Sequence, residues 1–141
     1  MERGRTGFRT SSDRATNILA ISIQQSHVDE ILDHARREAP HECCGLIGGR
    51  DSQTQTVYPL RNVAFEPLVT YEAAPEDLFA AQRAMRECGE QLLAVYHSHP
   101  RSEDPTPSST DVRLAYYPSA VYLIVGLGKE EIGRASCRER V

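Results

Sequence analysis

The sequence predicts an α/β domain. Short apolar runs rich in strand-forming residues alternate with two longer stretches of helical period, and glycines and prolines mark the joins. A chain of 141 residues is long enough for one core and too short for two. The elements therefore belong to one α/β layout with two longer helices and one short one.

Residues 1–17 are rich in Arg, Ser, Thr and Gly, with little to bury, and are expected to be a disordered extension. The domain proper is expected over 18–130, starting with a short strand at 18–23. Ser26 is expected to cap a helix over 27–38, with Val28, Ile31, Leu32 and Ala35 as its apolar stripe. His27 and His34 lie on that helix with no third ligand nearby and are expected at the surface, as is His41. Residues 43–49 and 54–62 read as strands around a turn at 50–53, a hairpin. Cys43 and Cys44 would then face opposite sides of the sheet as small apolar residues. Pro75 opens a second helix to about residue 88, with Leu78, Phe79, Ala81, Met85 and Cys88 in helical spacing and Gly89 as its stop. A strand at 92–97 runs into His97. Residues 101–107 are polar with two prolines and read as a loop. A short helix is expected over 108–117, and a buried strand over 122–127.

The chemistry concentrates in one stretch: His97, Ser98, His99, Pro100, seven residues, then Ser108, two more, and Asp111. Residues two apart on a strand share a face at roughly 7 Å along it, so His97 and His99 can converge on one ion while Ser98 points away. Pro100 lacks an amide donor and ends the ladder. Asp111, in the first turn of the next helix, would bring a carboxylate to the same place. Two imidazoles and one carboxylate make three ligands for a tetrahedral zinc with an open fourth position, the mark of a catalytic site. Each fragment has a plainer reading. A His-x-His pair on a strand is often only packed, and Ser108-x-x-Asp111 alone resembles a capping box. The two roles are compatible, since Asp111 could bind metal from a capped turn.

This stretch resembles the full signature of the JAMM metallopeptidases, also called the MPN-plus family. The family also carries a glutamate before a Cys-Gly-Leu-hydrophobic-Gly strand, which Pro40-His41-Glu42-Cys43-Cys44-Gly45-Leu46-Ile47-Gly48-Gly49 matches. The similarity covers about residues 21–127. It implies the JAMM fold, a mixed sheet flanked by helices and like that of cytidine deaminases. It also implies that His97, His99 and Asp111 bind zinc, that Glu42 is the general base, and that Ser108 donates a hydrogen bond to the oxyanion. The implied activity is hydrolysis of a peptide or isopeptide bond after the C-terminal Gly-Gly of a ubiquitin-like or sulfur-carrier protein. Two other readings stand beside it: a phage-tail or cell-wall endopeptidase domain, and a non-catalytic MPN-type scaffold. The intact His97, His99, Asp111 and Glu42 argue against the scaffold. A cysteine nucleophile paired with His41 is not needed, because the metal motif accounts for the chemistry.

Composition excludes other classes. A formal charge of −4 and the lack of a basic stripe argue against nucleic-acid binding. No apolar run is long enough to span a bilayer. The N-terminus is polar and charged, so no signal peptide is expected and the location is expected to be cytoplasmic. The four cysteines form neither a disulfide framework nor a Cys-x-x-Cys zinc site. Residues 131–141, Glu-Ile-Gly-Arg-Ala-Ser-Cys-Arg-Glu-Arg-Val, resemble the translation of a common sequencing-library adapter. They are expected to be an artefactual tail that packs poorly. The natural domain is then expected to continue past about residue 130, with a sheet edge left open here.

Overall fold

The computed structural model describes residues 5–9, 20–100, 120–127 and 133–139. Its elements are β1 (Arg5–Arg9), β2 (Ala20–Gln24), α1 (Gln25–Glu38), β3 (Cys44–Arg50), β4 (Gln53–Leu60), α2 (Pro75–Glu87), β5 (Gln91–His99), β6 (Val121–Leu127) and β7 (Gly133–Glu139). They form one mixed seven-stranded sheet in the order β1-β2-β4-β3-β5-β6-β7. β2 runs parallel to β4 and β5 parallel to β6; the other pairs are antiparallel. The expected short helix at 108–117 lies outside the described residues, with Ser108 and Asp111 in it.

The two helices cover opposite faces of the sheet. Under α1, Ile31 and Ala35 pack with Ile23, Cys43, Ile47, Tyr96 and Val125. Under α2, Ala81 and Met85 pack with Cys44, Leu46, Val95 and Tyr122. Cys43 and Cys44 thus serve opposite cores, as the strand period requires. Both faces of the central strands are covered, which is why β3 and β6 are buried almost end to end.

The hairpin forms as expected. Asp51 and Ser52 make its tip, both with positive φ (52° and 62°), the twist a tight turn between right-twisted strands needs. The tip is anchored where Ser22 N–H donates to the Ser52 carbonyl at 2.8 Å. Gly45 has a different reason to be glycine. It pairs across the sheet with Tyr96, whose ring lies so close that a β-carbon would collide with it.

Several expectations are corrected. Ser26 does not cap α1: the helix begins at Gln25, and the capping position is Gln24, whose backbone N–H donates to Thr54 Oγ1 at 3.2 Å. His27 and His34 are buried, 8% and 5% exposed, not at the surface. Each has a polar partner that makes burial tolerable, His27 Nδ1 with Thr54 Oγ1 at 2.7 Å and His34 Nδ1 with the Tyr96 hydroxyl at 2.8 Å. In α2, Phe79 is 64% exposed and Cys88 is also exposed, so the buried stripe narrows to Ala81 and Met85, with Leu78 half-buried beside them.

Two edge strands occupy stretches where none was expected. Arg5–Arg9 pairs along β2, and Gly133–Glu139 pairs with β6 over seven register positions. Neither segment has a strand-like apolar pattern. An open edge presents a row of N–H and C=O groups that any extended chain can satisfy through its backbone. Side-chain periodicity is blind to that kind of pairing.

Candidate metal centre

The site forms where β3 and β5 lie side by side. Cys44 pairs with His97 across the antiparallel register. Extending that register by two residues sets Glu42 opposite His99. His97 and His99 share the α2 face of β5 with Val95, while Ser98 turns to the other face with Tyr96. Ser98 is fully buried there; its Oγ accepts from Cys43 N–H at 2.8 Å, and its own N–H donates to the Cys43 carbonyl at 3.0 Å. This exchange stitches the residue after Glu42 to the residue between the two histidines.

His97 Nε2 and His99 Nε2 lie 3.1 Å apart. Two nitrogens bound tetrahedrally to one zinc, each at 2.0–2.1 Å, would be separated by about 3.3 Å. The pair is therefore spaced close to the edge of a zinc tetrahedron. A neutral donor–acceptor pair of imidazoles also fits that distance. A third group stands beside the pair. A carboxylate oxygen of Glu42 and one nitrogen from each histidine all lie within 4.8 Å of one another, with Glu42 and His97 buried and His99 half-buried. A carboxylate with two imidazoles is a donor set that suits zinc. Glu42, which without the motif would read as a solvated residue at a strand mouth, is 5% exposed.

The structure thus brings together Glu42, His97 and His99 of the residues singled out in the sequence. Ser108 and Asp111 lie outside the described residues. His41 is exposed. Burial pushes the Cys43 thiol up to about 11 and that of Cys44 to about 12, so both are protonated at neutral pH and poor nucleophiles.

Two residues that the sequence did not single out complete the surroundings. The ring of Tyr71 stacks on His97, centroids 4.6 Å apart at 25°. Asn62 donates to the Glu42 carbonyl at 2.9 Å. Both belong to residues 61–74, the connection from β4 to α2. That connection and the α2 face of the sheet enclose a groove of about 630 Å³, lined by Cys44, Leu46, Val95, Tyr122, Phe65 and Tyr71 among others. Through Tyr71 the groove adjoins His97.

Residues 24–138 match the family described as prokaryotic homologues of the JAB domain. A desampylase from Haloferax volcanii is 43% identical over 74% of this chain and 78% of its own length. A probable TtuB-protein conjugate cleaving protease from Thermus thermophilus is 38% identical over 77% of this chain and 71% of its own length. The solution structure of protein DSY2949 from Desulfitobacterium hafniense superposes with a TM-score of 0.71 at 32% identity, covering 84% of this chain and 90% of that one. The chain belongs to the prokaryotic branch of the JAB-domain, or JAMM, family.

Proposed function

We propose that this chain is a zinc-dependent hydrolase that cleaves the peptide or isopeptide bond after the C-terminal Gly-Gly of a ubiquitin-like or sulfur-carrier protein. The observation that carries the reading is the convergence of His97 Nε2 and His99 Nε2 to 3.1 Å beside the buried Glu42. The relatives named for desampylation and for cleaving protein conjugates support the substrate class. The groove that adjoins His97 suits an extended tail, and a diglycine end passes where side chains would clash.

In this reading His97, His99 and Asp111 hold the metal. Zinc, when bound, supplies Lewis acidity and makes a water nucleophilic near neutral pH. Glu42 would take a proton from the attacking water and pass it to the leaving amine. Its burial away from bulk solvent keeps the proton within the site. Ser108 donates a hydrogen bond to the oxyanion of the tetrahedral intermediate. The thiols of Cys43, Cys44 and Cys88 are free, which fits the reducing cytoplasm as the place of action. No helix among the described residues is long and apolar enough to cross a membrane.

The mutual distances of the described cluster favour one second reading, with Glu42 itself as a metal ligand. Elemental analysis of purified protein separates the two. We expect one zinc per chain, lost in His99→Ala and kept in Glu42→Gln, together with hydrolysis of a ubiquitin-like carrier conjugate by the wild type alone. Zinc lost from Glu42→Gln would make Glu42 a ligand. Full zinc occupancy in His99→Ala would overturn the metal assignment.

A further inference from the structure

Residues 61–74 pass over the site, and Asn62 stands at the start of them. Its side-chain amide makes four hydrogen bonds. Nδ2 donates to the carbonyls of Glu42 at 2.9 Å and Thr70 at 3.0 Å. Oδ1 accepts from the amides of Ala64 and Glu72, each at 3.0 Å. Two carbonyls on one side and two N–H groups on the other fix the amide's orientation without ambiguity.

The partners matter more than the count. Glu42 N–H donates to the Pro67 carbonyl at 2.8 Å, so the backbone of Glu42 is held from both sides by this one connection. Tyr71, which stacks on His97, lies between Thr70 and Glu72, two of the four residues that Asn62 binds. Apolar packing holds only the end of the segment, where Tyr71 and Ala73 meet the core; its outer part is not packed, since Val63, Leu68 and Val69 are 41–55% exposed and Phe65 is 98% exposed. The outer part is held by hydrogen bonds, and Asn62 supplies most of those that reach the site.

We propose that Asn62 is a positioning residue for this site. It fixes the backbone of Glu42 and closes the segment that sets Tyr71 against His97. The catalytic half of the inference rests on Glu42 being the general base. Asparagine is suited to the task in a way its neighbours in chemistry are not. Aspartate keeps both acceptor contacts but turns an oxygen toward two carbonyls. Glutamine is one methylene longer, and alanine makes none of the four bonds. Removing Asn62 should not unfold the connection, because its base is tied independently. Val63 N–H donates to the Glu72 carbonyl, Ala74 N–H to the Arg61 carbonyl, and Arg61 pairs with Asp77 at 2.9 Å.

The test uses the full chain and three readouts: amide hydrogen exchange, zinc content, and steady-state hydrolysis of a ubiquitin-like carrier conjugate. In Asn62→Ala we expect faster exchange at Ala64, Glu72 and Glu42, with β3 and β5 amides unchanged. Turnover should fall about 10- to 100-fold with KM within a few-fold and zinc retained, as for loss of a supporting hydrogen-bond partner at a metal site. Asn62→Asp should keep Ala64 and Glu72 protected yet lose turnover to a similar extent, which separates the two donor contacts, to Glu42 and Thr70, from the two acceptor contacts. Wild-type turnover in Asn62→Asp, or unaltered exchange at Glu42 in Asn62→Ala, would overturn the proposal. A wild type inactive on the conjugate would instead count against the proposed function, and the exchange pattern would still decide whether Asn62 holds Glu42 in place.

Discussion

Tyr71 offers a direct physical test of the proposed metal centre, because it stacks on one of the residues proposed to hold the ion. Its ring covers His97 in a near-parallel stack, 4.6 Å between centroids and 25° between planes. Such a contact contributes about 0.5–1.5 kcal/mol beyond simple burial. The stack also helps to orient the imidazole, together with the neighbouring His99. In Tyr71→Ala, the ring of His97 regains rotational freedom that zinc binding must then remove, at about 0.5–1.5 kcal/mol per side chain immobilised. At about 1.4 kcal/mol per tenfold, zinc affinity should weaken by about 2- to 12-fold. Tyr71→Phe keeps the ring and should bind zinc like the wild type. The assay is competition for zinc against a chromogenic chelator, with thermal melts to confirm folding. Equal affinities for Tyr71→Ala and the wild type would refute the reasoning. So would a Tyr71→Phe variant as weak as Tyr71→Ala, since the hydroxyl and not the stack would then be responsible.

Other expectations follow from the same geometry. Glu42→Gln should lose nearly all hydrolysis, because an amide cannot take the proton; an active variant would remove Glu42 from the mechanism. Ser108→Ala should lose about 100- to 1,000-fold in turnover, the usual effect of one oxyanion donor, and a wild-type rate would end its assignment. Burial holds the His34 imidazole below its ordinary range, so the folded state favours the neutral ring. The stability this provides is complete above the unfolded value of about 6.5 and declines as pH falls below it. Urea midpoints measured downward from pH 8 should therefore drop less steeply in His34→Gln than in the wild type, and parallel profiles would contradict the idea. Deleting residues 131–141 should lower the melting temperature by stripping β6 of its seven-position partner, whereas scrambling the same residues should change it little. Identical melts for the deletion and the wild type would mean that this segment packs poorly, as the sequence suggested.

The parts of this fold that were legible in the sequence are those governed by local period. The hairpin at 50–53, the start of α2 at Pro75 and its stop at Gly89, and the sidedness of Cys43 and Cys44 each follow from rules acting over a few residues. The pairing of His97 with His99 is of the same kind, since a strand's two-residue repeat alone aims both rings to one side. What was missed involves partners far apart in sequence. His34 was expected at the surface because no third ligand lies near it in the sequence, yet the hydroxyl that accommodates it belongs to Tyr96, 62 residues on. Asn62 reads as an ordinary strand-end residue until the fold brings Glu42 to its amide, 20 residues back.

The same contrast explains how the site can be rigid on one side and held by an exposed segment on the other. His97 and His99 stand on β5, flanked by β3 and β6 and covered on both faces, so their backbone is fixed by the sheet. Glu42 lies just outside β3, beyond the ladder, and needs another support. The connection at 61–74 supplies it through Asn62 and Pro67. That segment exposes Val63, Phe65, Leu68 and Val69 to solvent while its inner side carries Tyr71 and the hold on Glu42. Little apolar burial thus backs the few hydrogen bonds that position Glu42. Local unfolding is cheapest where apolar burial is least. The accuracy of this centre is therefore expected to depend more on the polar network around Asn62 than on the hydrophobic core beneath it.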